Sequence, residues 1–150
     1  MYFLGHVVVN KGVEVDHIKT EGVKNFPKPL IPTNIRSFLG LAGYYRRFMK
    51  GFYFVASPLT TLTKKKVMFE WADTCEKKFQ DLKNRLNSAP VLTLPTCAEN
   101  YTIYCYAYRV GLGCVLMQGR KVIDYSSRQL KVYEKIIPLM TWSLQLWCLQ

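Results

Sequence analysis

Two glycines with cations on both sides recur along one segment of the sequence at a spacing that suits contact with a phosphate backbone. The five residues are Arg36, Gly40, Gly43, Arg47 and Lys50. On an α-helix this spacing keeps all of them within about 40° of one line. A glycine inside a helix costs roughly 1 kcal/mol against alanine, so two on one face suggest that something approaches closely. Phosphates held by guanidinium groups fit this face, and tight helix packing with solvated cations is the alternative that the residues leave open.

The cysteines, histidines and acids show no spacing typical of a metal site. Cysteines stand at positions 75, 97, 105, 114 and 148 with no C-x-x-C pair, and His6 and His17 complete the possible soft ligands. We therefore expect neither zinc nor a disulfide framework, but reduced and mostly buried thiols in an intracellular protein. No Asp-Asp pair occurs, and Glu99, Asp124 and Glu134 are interpreted as solvated surface charges.

The charge of the whole chain favours a polyanionic partner. Its 150 residues include 21 Lys or Arg against 10 Asp or Glu, a formal net charge of +11. The hydrophobic content of 49% argues against a disordered polycation, so a folded basic domain is expected. The uncharged stretch 136–150 is shorter than a membrane-spanning helix, and no signal peptide is recognisable. We expect a location in the cytoplasm or nucleus and no membrane partner.

The N-terminal half predicts a hairpin followed by helices. Two β-branched runs within 2–15 flank an Asn-Lys-Gly turn, and Asp16 is a plausible N-cap for a short helix from His17 to about Lys24. Three prolines then impose an extended connection. Thr33 is expected to cap a helix that continues to Lys50 and carries the cations and glycines above.

The C-terminal half changes from helical to strand periodicity. From Ala56 the chain is interpreted as a connection, followed by a helix with a capping box at Asp73 and Glu76. Its apolar stripe is Cys75, Phe79, Leu82 and Leu86, with Trp71 packing just before it. Strands are predicted at 101–108, 111–118 and 121–126, with Gly119-Arg120 as a tight turn. The apolar segment 133–150 is expected to cover the sheet as a helix. The predicted sheet core is Ile103, Cys105, Leu112, Cys114, Leu116 and Ile123.

Several motifs in order resemble one known family over the whole chain. They are FLGH, IRSFLGLAGYYRRF, SPLTTLTKKK, FEW, APVLTLP, VGLGCVLMQ and SSRQL. The chain resembles the Pol polyprotein of gypsy-type LTR retrotransposons, from the end of the reverse transcriptase palm into the ribonuclease H domain. The resemblance implies an α/β (α+β) fold. Its expected parts are the end of the palm with the helical thumb over 1–55, a connection over 56–90, and a truncated ribonuclease H-like domain over 91–150 with three antiparallel strands and a covering helix.

The resemblance also implies where chemistry has been lost. In this family a strand with the pattern Y-C-D-A-S supplies an aspartate that binds catalytic Mg²⁺, and here Tyr106 stands at that position. Ser143 would stand at the position of a second metal-binding carboxylate. A neutral phenol cannot replace a carboxylate shared between two Mg²⁺ ions. We therefore expect no catalytic residue, no bound metal and no cofactor in this chain, although the parent family uses Mg²⁺.

The resulting hypothesis is a Pol fragment that binds nucleic acid weakly and without sequence preference. The parent activities would be RNA-directed DNA polymerase and RNA–DNA hybrid ribonuclease, and this chain is expected to be inactive. In the thumb, Arg36, Arg47 and Lys50 would contact phosphates while Gly40 and Gly43 permit approach. The alternatives are a non-catalytic interaction module that self-associates through the apolar C-terminal segment, a relic without function, and residual ribonuclease H activity.

Overall fold

A computed structural model describes residues 1–3, 5–65, 67–96, 100–108 and 111–131. In chain order the elements are β1 (Tyr2–Phe3), β2 (His6–Val9), β3 (Gly12–Val15), α1 (His17–Lys24), α2 (Pro32–Tyr44), a 3₁₀ helix (Arg46–Phe48), α3 (Phe52–Leu62), α4 (Asp73–Asn87), β4 (Tyr101–Tyr108), β5 (Gly111–Gln118) and β6 (Lys121–Gln129). The mixture of helices and antiparallel strands confirms the predicted fold class. Over these residues no helix is long and apolar enough to cross a membrane.

The predicted N-terminal hairpin is confirmed as β2 and β3, with β1 added on its outer side. The hairpin is tied to the later chain at Leu92, whose backbone exchanges two hydrogen bonds with Val13, of 2.7 and 2.8 Å. Gly12 makes this approach possible, because its φ is +145° and a Cβ there would overlap the Leu92 carbonyl. These backbone hydrogen bonds thereby join the hairpin to the segment that follows α4.

The first two helices begin and end partly as predicted. The Asp16 cap is confirmed by a 2.9 Å hydrogen bond that its carboxylate accepts from the Ile18 N–H. The predicted Thr33 cap is wrong, because Pro32 occupies the first turn and Ile31 caps the helix with its backbone only. The expected continuous helix to Lys50 is also wrong, since α2 ends at Tyr44 and a 3₁₀ helix follows.

Burial of large aromatic side chains explains why α2 stops. Tyr45 and Phe48 are both about 1% exposed, and the Tyr45 hydroxyl donates a 2.9 Å hydrogen bond to the Gly5 carbonyl. Burial is the main reason that the pKa of Tyr45 rises to about 12. The tighter 3₁₀ turn directs these two side chains toward the core. A continuous α-helix would point them in other directions. Tertiary packing therefore overrides the helical periodicity of this segment.

The expected connection from Ala56 is wrong, because α3 occupies Phe52–Leu62. Pro58 lies inside this helix and removes one helical hydrogen bond. The helix forms nevertheless because it buries Val55, Ala56, Leu59 and Leu62 against its neighbours. The division drawn at residue 55 falls inside this helix, and the ranges 1–55, 56–90 and 91–150 stay a prediction.

Helix α4 confirms its apolar stripe but not its capping box. Its four predicted stripe residues are all buried, and the Trp71 ring packs edge-on against Phe79 with centroids 5.7 Å apart. The cap residue is Ala72, so Asp73 and Glu76 lie in the first turn. Glu76 instead accepts a 2.7 Å hydrogen bond from the Trp71 indole. A hydrogen bond from Gln80, together with the one from Trp71, lowers the pKa of Glu76.

Strands β4, β5 and β6 form the predicted antiparallel sheet in that order. The Gly119-Arg120 turn is confirmed, with φ of +53° and +65° as in a type I′ turn, and β6 continues beyond the predicted end to Gln129. Leu112, Cys114 and Ile123 are buried as predicted, and Leu116 is half-buried. The predicted burial of Ile103 and Cys105 is wrong, because both are exposed on β4.

The second sheet packs on the helices through β6, which contacts the 3₁₀ helix and α3. The Tyr53 N–H at the start of α3 donates a 3.0 Å hydrogen bond to the Ser127 hydroxyl. This contact brings one face of the sheet against the first turn of α3. The predicted covering helix over 133–150 lies outside the described residues.

Candidate nucleic-acid interface

The exposed face of α2 carries the first three residues of the cation and glycine series. Gly40 is exposed, and no atom lies within 4 Å of the place where its side chain would begin. Arg36, one turn earlier, is exposed as well, but its guanidinium donates a 2.8 Å hydrogen bond to the Thr63 carbonyl at the end of α3. Gly43 faces the edge of the Phe52 ring at an ordinary contact distance. The helix surface is bare at Gly40 and anchored at Arg36.

Arg47 lies in the 3₁₀ helix and therefore departs from the line of α2. Its side chain is 45% exposed, and its Nε lies 4.0 Å from Oδ1 of Asp124 on β6. The Asp124 carboxylate was predicted to be solvated, but it is partly enclosed, and burial raises its pKa against the opposing effect of Arg47. An ion pair of this length and exposure contributes little stability, and it leaves the Arg47 side chain partly open to solvent.

A half-buried histidine lies beside Arg47. The His6 ring stacks on Tyr44 with centroids 5.3 Å apart and also contacts Tyr45 and Phe48. Burial lowers the pKa of His6, and the nearby Arg47 guanidinium lowers it further. This imidazole is therefore neutral at physiological pH and adds no positive charge to the surface.

Lys50, the last of the series, points to a different part of the molecule. Its side chain is exposed, and its Nζ lies 5.9 Å from the centroid of the Tyr106 ring on β4. The structure thus brings together Arg36, Gly40 and Gly43 on α2, and places Arg47 and Lys50 on two further surfaces. The single continuous strip inferred from helical spacing does not form.

Glycines of β5 form a bare patch of sheet on which two aromatic rings rest. Gly113 lies opposite Tyr106 in the β4–β5 register, and a Cβ there would overlap the Tyr106 ring. Gly111 lies against the Phe54 ring, within about 3.1 Å of where its own Cβ would stand. The two rings are 6.2 Å apart and nearly parallel, at 27°. This arrangement fixes the Tyr106 side chain at the mouth of a cleft.

That cleft contains cations that sequence reasoning missed. It has a volume of about 560 Å³, and Lys78 and Arg85 of α4 line it together with Lys50 and Tyr106. Lys78 and Arg85 are seven residues apart and so share one face of α4, which was the available signal. What could not be inferred is that this face meets β4, because no local pattern reports that contact.

The surroundings of Tyr106 do not suit a divalent metal. Within the described ranges no three His, Cys, Asp or Glu side chains lie close enough together to hold one. The Lys50 ammonium lies 5.9 Å from the centroid of the phenol ring, and its positive charge would repel Mg²⁺. The Mg²⁺ site of the parent family therefore does not fit this part of the chain. Ser143, the other predicted position, lies outside the described residues, and the absence of a cofactor stays a prediction.

Comparison with known proteins decides the family. Residues 71–145, half of the chain, match the RNase H-like domain found in reverse transcriptase. The chain belongs to this family. This RNase H-like chain is 35% identical over 84% of its length to the Retrovirus-related Pol polyprotein from transposon 412 of Drosophila melanogaster. It is 34% identical over 89% of its length to the corresponding polyprotein from transposon gypsy of the same species.

Solved structures agree on the fold of this RNase H-like chain. The foamy viral protease-reverse transcriptase in complex with RNA/DNA hybrid superposes with a TM-score of 0.84 over 99% of the chain at 20% identity. The chain spans 21% of that protein and 10 to 14% of the two Drosophila polyproteins. The resemblance to gypsy-type Pol polyproteins is thus confirmed, and the chain corresponds to a small part of such a protein.

Proposed function

We propose that this RNase H-like chain holds a nucleic-acid duplex by its phosphates and neither cuts nor copies it. The observation that carries the proposal is the bare surface of α2 at Gly40, one helical turn from the Arg36 guanidinium. A duplex backbone can approach such a surface closely, and Arg47 is exposed nearby. The net charge of +11 supports this proposal, as does the fold shared with a reverse transcriptase whose structure contains an RNA/DNA hybrid.

Substitutions on α2 test the proposed contact by fluorescence anisotropy with a labelled RNA–DNA hybrid. Gly40→Leu places a side chain where the backbone would approach, and we expect affinity to fall about tenfold because the phosphates are pushed away. Arg47→Ala removes one cation, and we expect a loss of about fivefold and a shallower salt dependence.

Gly22→Leu is the matched control for Gly40→Leu. Gly22 is also an exposed helical glycine with nothing within 4 Å of its missing side chain, but it lies on α1. We expect this variant to bind like the wild type. Equal losses from Gly22→Leu and Gly40→Leu, or no loss from Gly40→Leu, would show that the duplex does not approach α2.

The proposed lack of catalysis rests on Tyr106. Its phenol is a poor metal ligand beside a lysine, and among the described side chains no carboxylate cluster replaces it. Incubation with a hybrid carrying a labelled RNA strand and Mg²⁺ should therefore leave the RNA intact. Cleavage that EDTA abolishes would contradict this part of the proposal.

Self-association is a second candidate function. In the described part of the sheet, β4 pairs only with β5 and exposes Tyr101, Ile103 and Tyr104, which is typical of an edge strand open to a partner. The segment 136–150 is uncharged and rich in apolar residues. Size-exclusion chromatography with light scattering discriminates, because a defined dimer supports an interaction module and a monomer at all concentrations removes it.

A location in the cytoplasm or nucleus is proposed with this function, since nucleic acid is available there. The free thiols of Cys75, Cys105 and Cys114 are compatible with a reducing compartment. Fractionation of cells that express a tagged chain would test the location.

A further inference from the structure

The cleft beside Tyr106 carries three cations on its walls. It lies between the start of α3, helix α4 and strand β4, and its charged residues are Lys50, Lys78 and Arg85. Among the described residues that line it, none carries a carboxylate. A concave surface with charges of one sign focuses the electrostatic potential, so this cleft attracts anions.

Two of the three cations are available to a ligand. Arg85 is held at the wall, because its Nε bonds to Asp81 at 2.8 Å and its Nη1 donates to the Lys50 carbonyl at 3.3 Å. In the part of the chain that the structure describes, Lys50 and Lys78 form no ion pair. Their ammonium groups are therefore not neutralised by the protein.

Tyr106 adds a neutral hydrogen-bond donor to the same cleft. Among the described atoms its hydroxyl has no hydrogen-bond partner, and the ring is fixed between Phe54 and the bare sheet at Gly113. Burial raises the pKa of the Tyr106 phenol, so at neutral pH it keeps its proton. The two ammonium groups have no acceptor and repel a metal cation, so the three groups together suit an anion instead.

We propose that this cleft binds a phosphodiester group of a nucleic-acid strand, with the Lys50 and Lys78 ammonium groups and the Tyr106 hydroxyl as donors. The inference rests on the proposed function, because the strand would be that of the bound nucleic acid. Lys50 connects the two surfaces, since it follows closely after Arg47 in the chain and also lines the cleft. At this cleft the protein therefore holds phosphate where the parent family would hold metal.

Variants confined to the cleft separate it from α2. The measurement is the affinity for a labelled RNA–DNA hybrid over a series of salt concentrations, for the wild type, Lys78→Ala and Tyr106→Phe. We expect Lys78→Ala to weaken binding about fivefold and to reduce the slope of log K against log salt by about one. Tyr106→Phe keeps the ring but loses the donor, and we expect a loss of about threefold with the slope unchanged.

Lys77→Ala is the matched control, because Lys77 is the exposed neighbour on α4 and does not line the cleft. It removes the same charge and should leave the affinity within twofold of wild type. If Lys78→Ala and Tyr106→Phe also behave like Lys77→Ala while Arg47→Ala weakens binding, the cleft assignment is overturned and the proposed function stands. A wild-type chain that binds no hybrid overturns both.

Free phosphate is the other source of the same chemistry. Phosphorus NMR of inorganic phosphate reports its binding directly, with Lys78→Ala for comparison. If the wild type binds inorganic phosphate and Lys78→Ala does not, yet the two bind the hybrid equally, the cleft serves a free anion and the phosphodiester assignment is wrong.

Discussion

At Tyr106 a neutral phenol stands where the resemblance places a carboxylate, and the neighbouring residues accommodate the larger aromatic side chain. Lys50 lies over the ring, Phe54 lies beside it, and Gly113 leaves room beneath it. The identity of Tyr106 could be interpreted from the sequence because a motif surrounds it. Its contacts with Lys50 and Phe54 could not, because those residues lie more than 50 positions earlier in the chain.

Arg36 is placed both to stabilise the protein and to contact a phosphate. Its hydrogen bond to the Thr63 carbonyl caps the C-terminus of α3, which is a structural role. Its exposure beside Gly40 still allows contact with phosphate. Loss of binding in Arg36→Ala would therefore mix the two effects, and this is why Arg47 and Gly40 carry the test of binding.

His6 predicts a specific dependence of stability on pH. Its pKa in the folded chain lies below the ordinary value of 6.5, so the unfolded chain takes up a proton that the folded chain refuses. The contribution of His6 therefore falls as the pH decreases from about 6.5 through the lowered folded pKa. His6→Phe keeps an aromatic ring and should remove this loss, measured by urea unfolding between pH 5 and 7.5.

His17 provides the control, because it is the other histidine and is exposed on α1. His17→Asn should keep the wild-type pH dependence. The half-buried Asp124 acts in the opposite direction at acid pH, so the informative quantity is the difference between the wild-type and His6→Phe curves. Parallel curves would show that His6 is not the group responsible.

Among the elements, those with a strong local signal were predicted and those shaped by packing were not. The hairpin, α1, α4 and the three strands of the second sheet follow from turn residues, a cap and apolar periodicity. The end of α2 at Tyr44 was not predicted, because burial of aromatic side chains outweighs the helical periodicity there. Helix α3 was not predicted either, because its buried aliphatic contacts outweigh the unfavourable effect of Pro58.

Two glycine-to-alanine substitutions should have opposite effects on stability. Gly12→Ala forces a Cβ into the Leu92 carbonyl at a φ of +145°, and we expect the free energy of unfolding to fall by about 1–3 kcal/mol. Gly22→Ala meets open space on an exposed helix, and we expect a gain of about 0.5–1 kcal/mol. Denaturant unfolding measures both, and a stabilised Gly12→Ala variant would contradict the described contact with Leu92.

Over the whole molecule, the cations proposed to contact phosphate lie on α2, in the 3₁₀ helix and at the cleft, and further Lys and Arg residues lie elsewhere. Motifs in the sequence were sufficient to infer the family, and the net charge of +11 was sufficient to predict a polyanionic partner. Neither could locate the cleft, which brings together residues 50, 78, 85 and 106 from two elements and a loop. A tertiary contact of this kind leaves no periodic signal in the chain.

The salt dependence of hybrid binding shows directly whether the cations of this chain contact phosphates. Each phosphate neutralised by a Lys or Arg contributes about −0.9 to the slope of log K against log salt. If Arg36, Arg47, Lys50 and Lys78 contact phosphates, the wild-type chain should show a slope of about −3 to −4. An affinity that does not change with salt, or a chain that binds no hybrid even at low salt, would contradict the account.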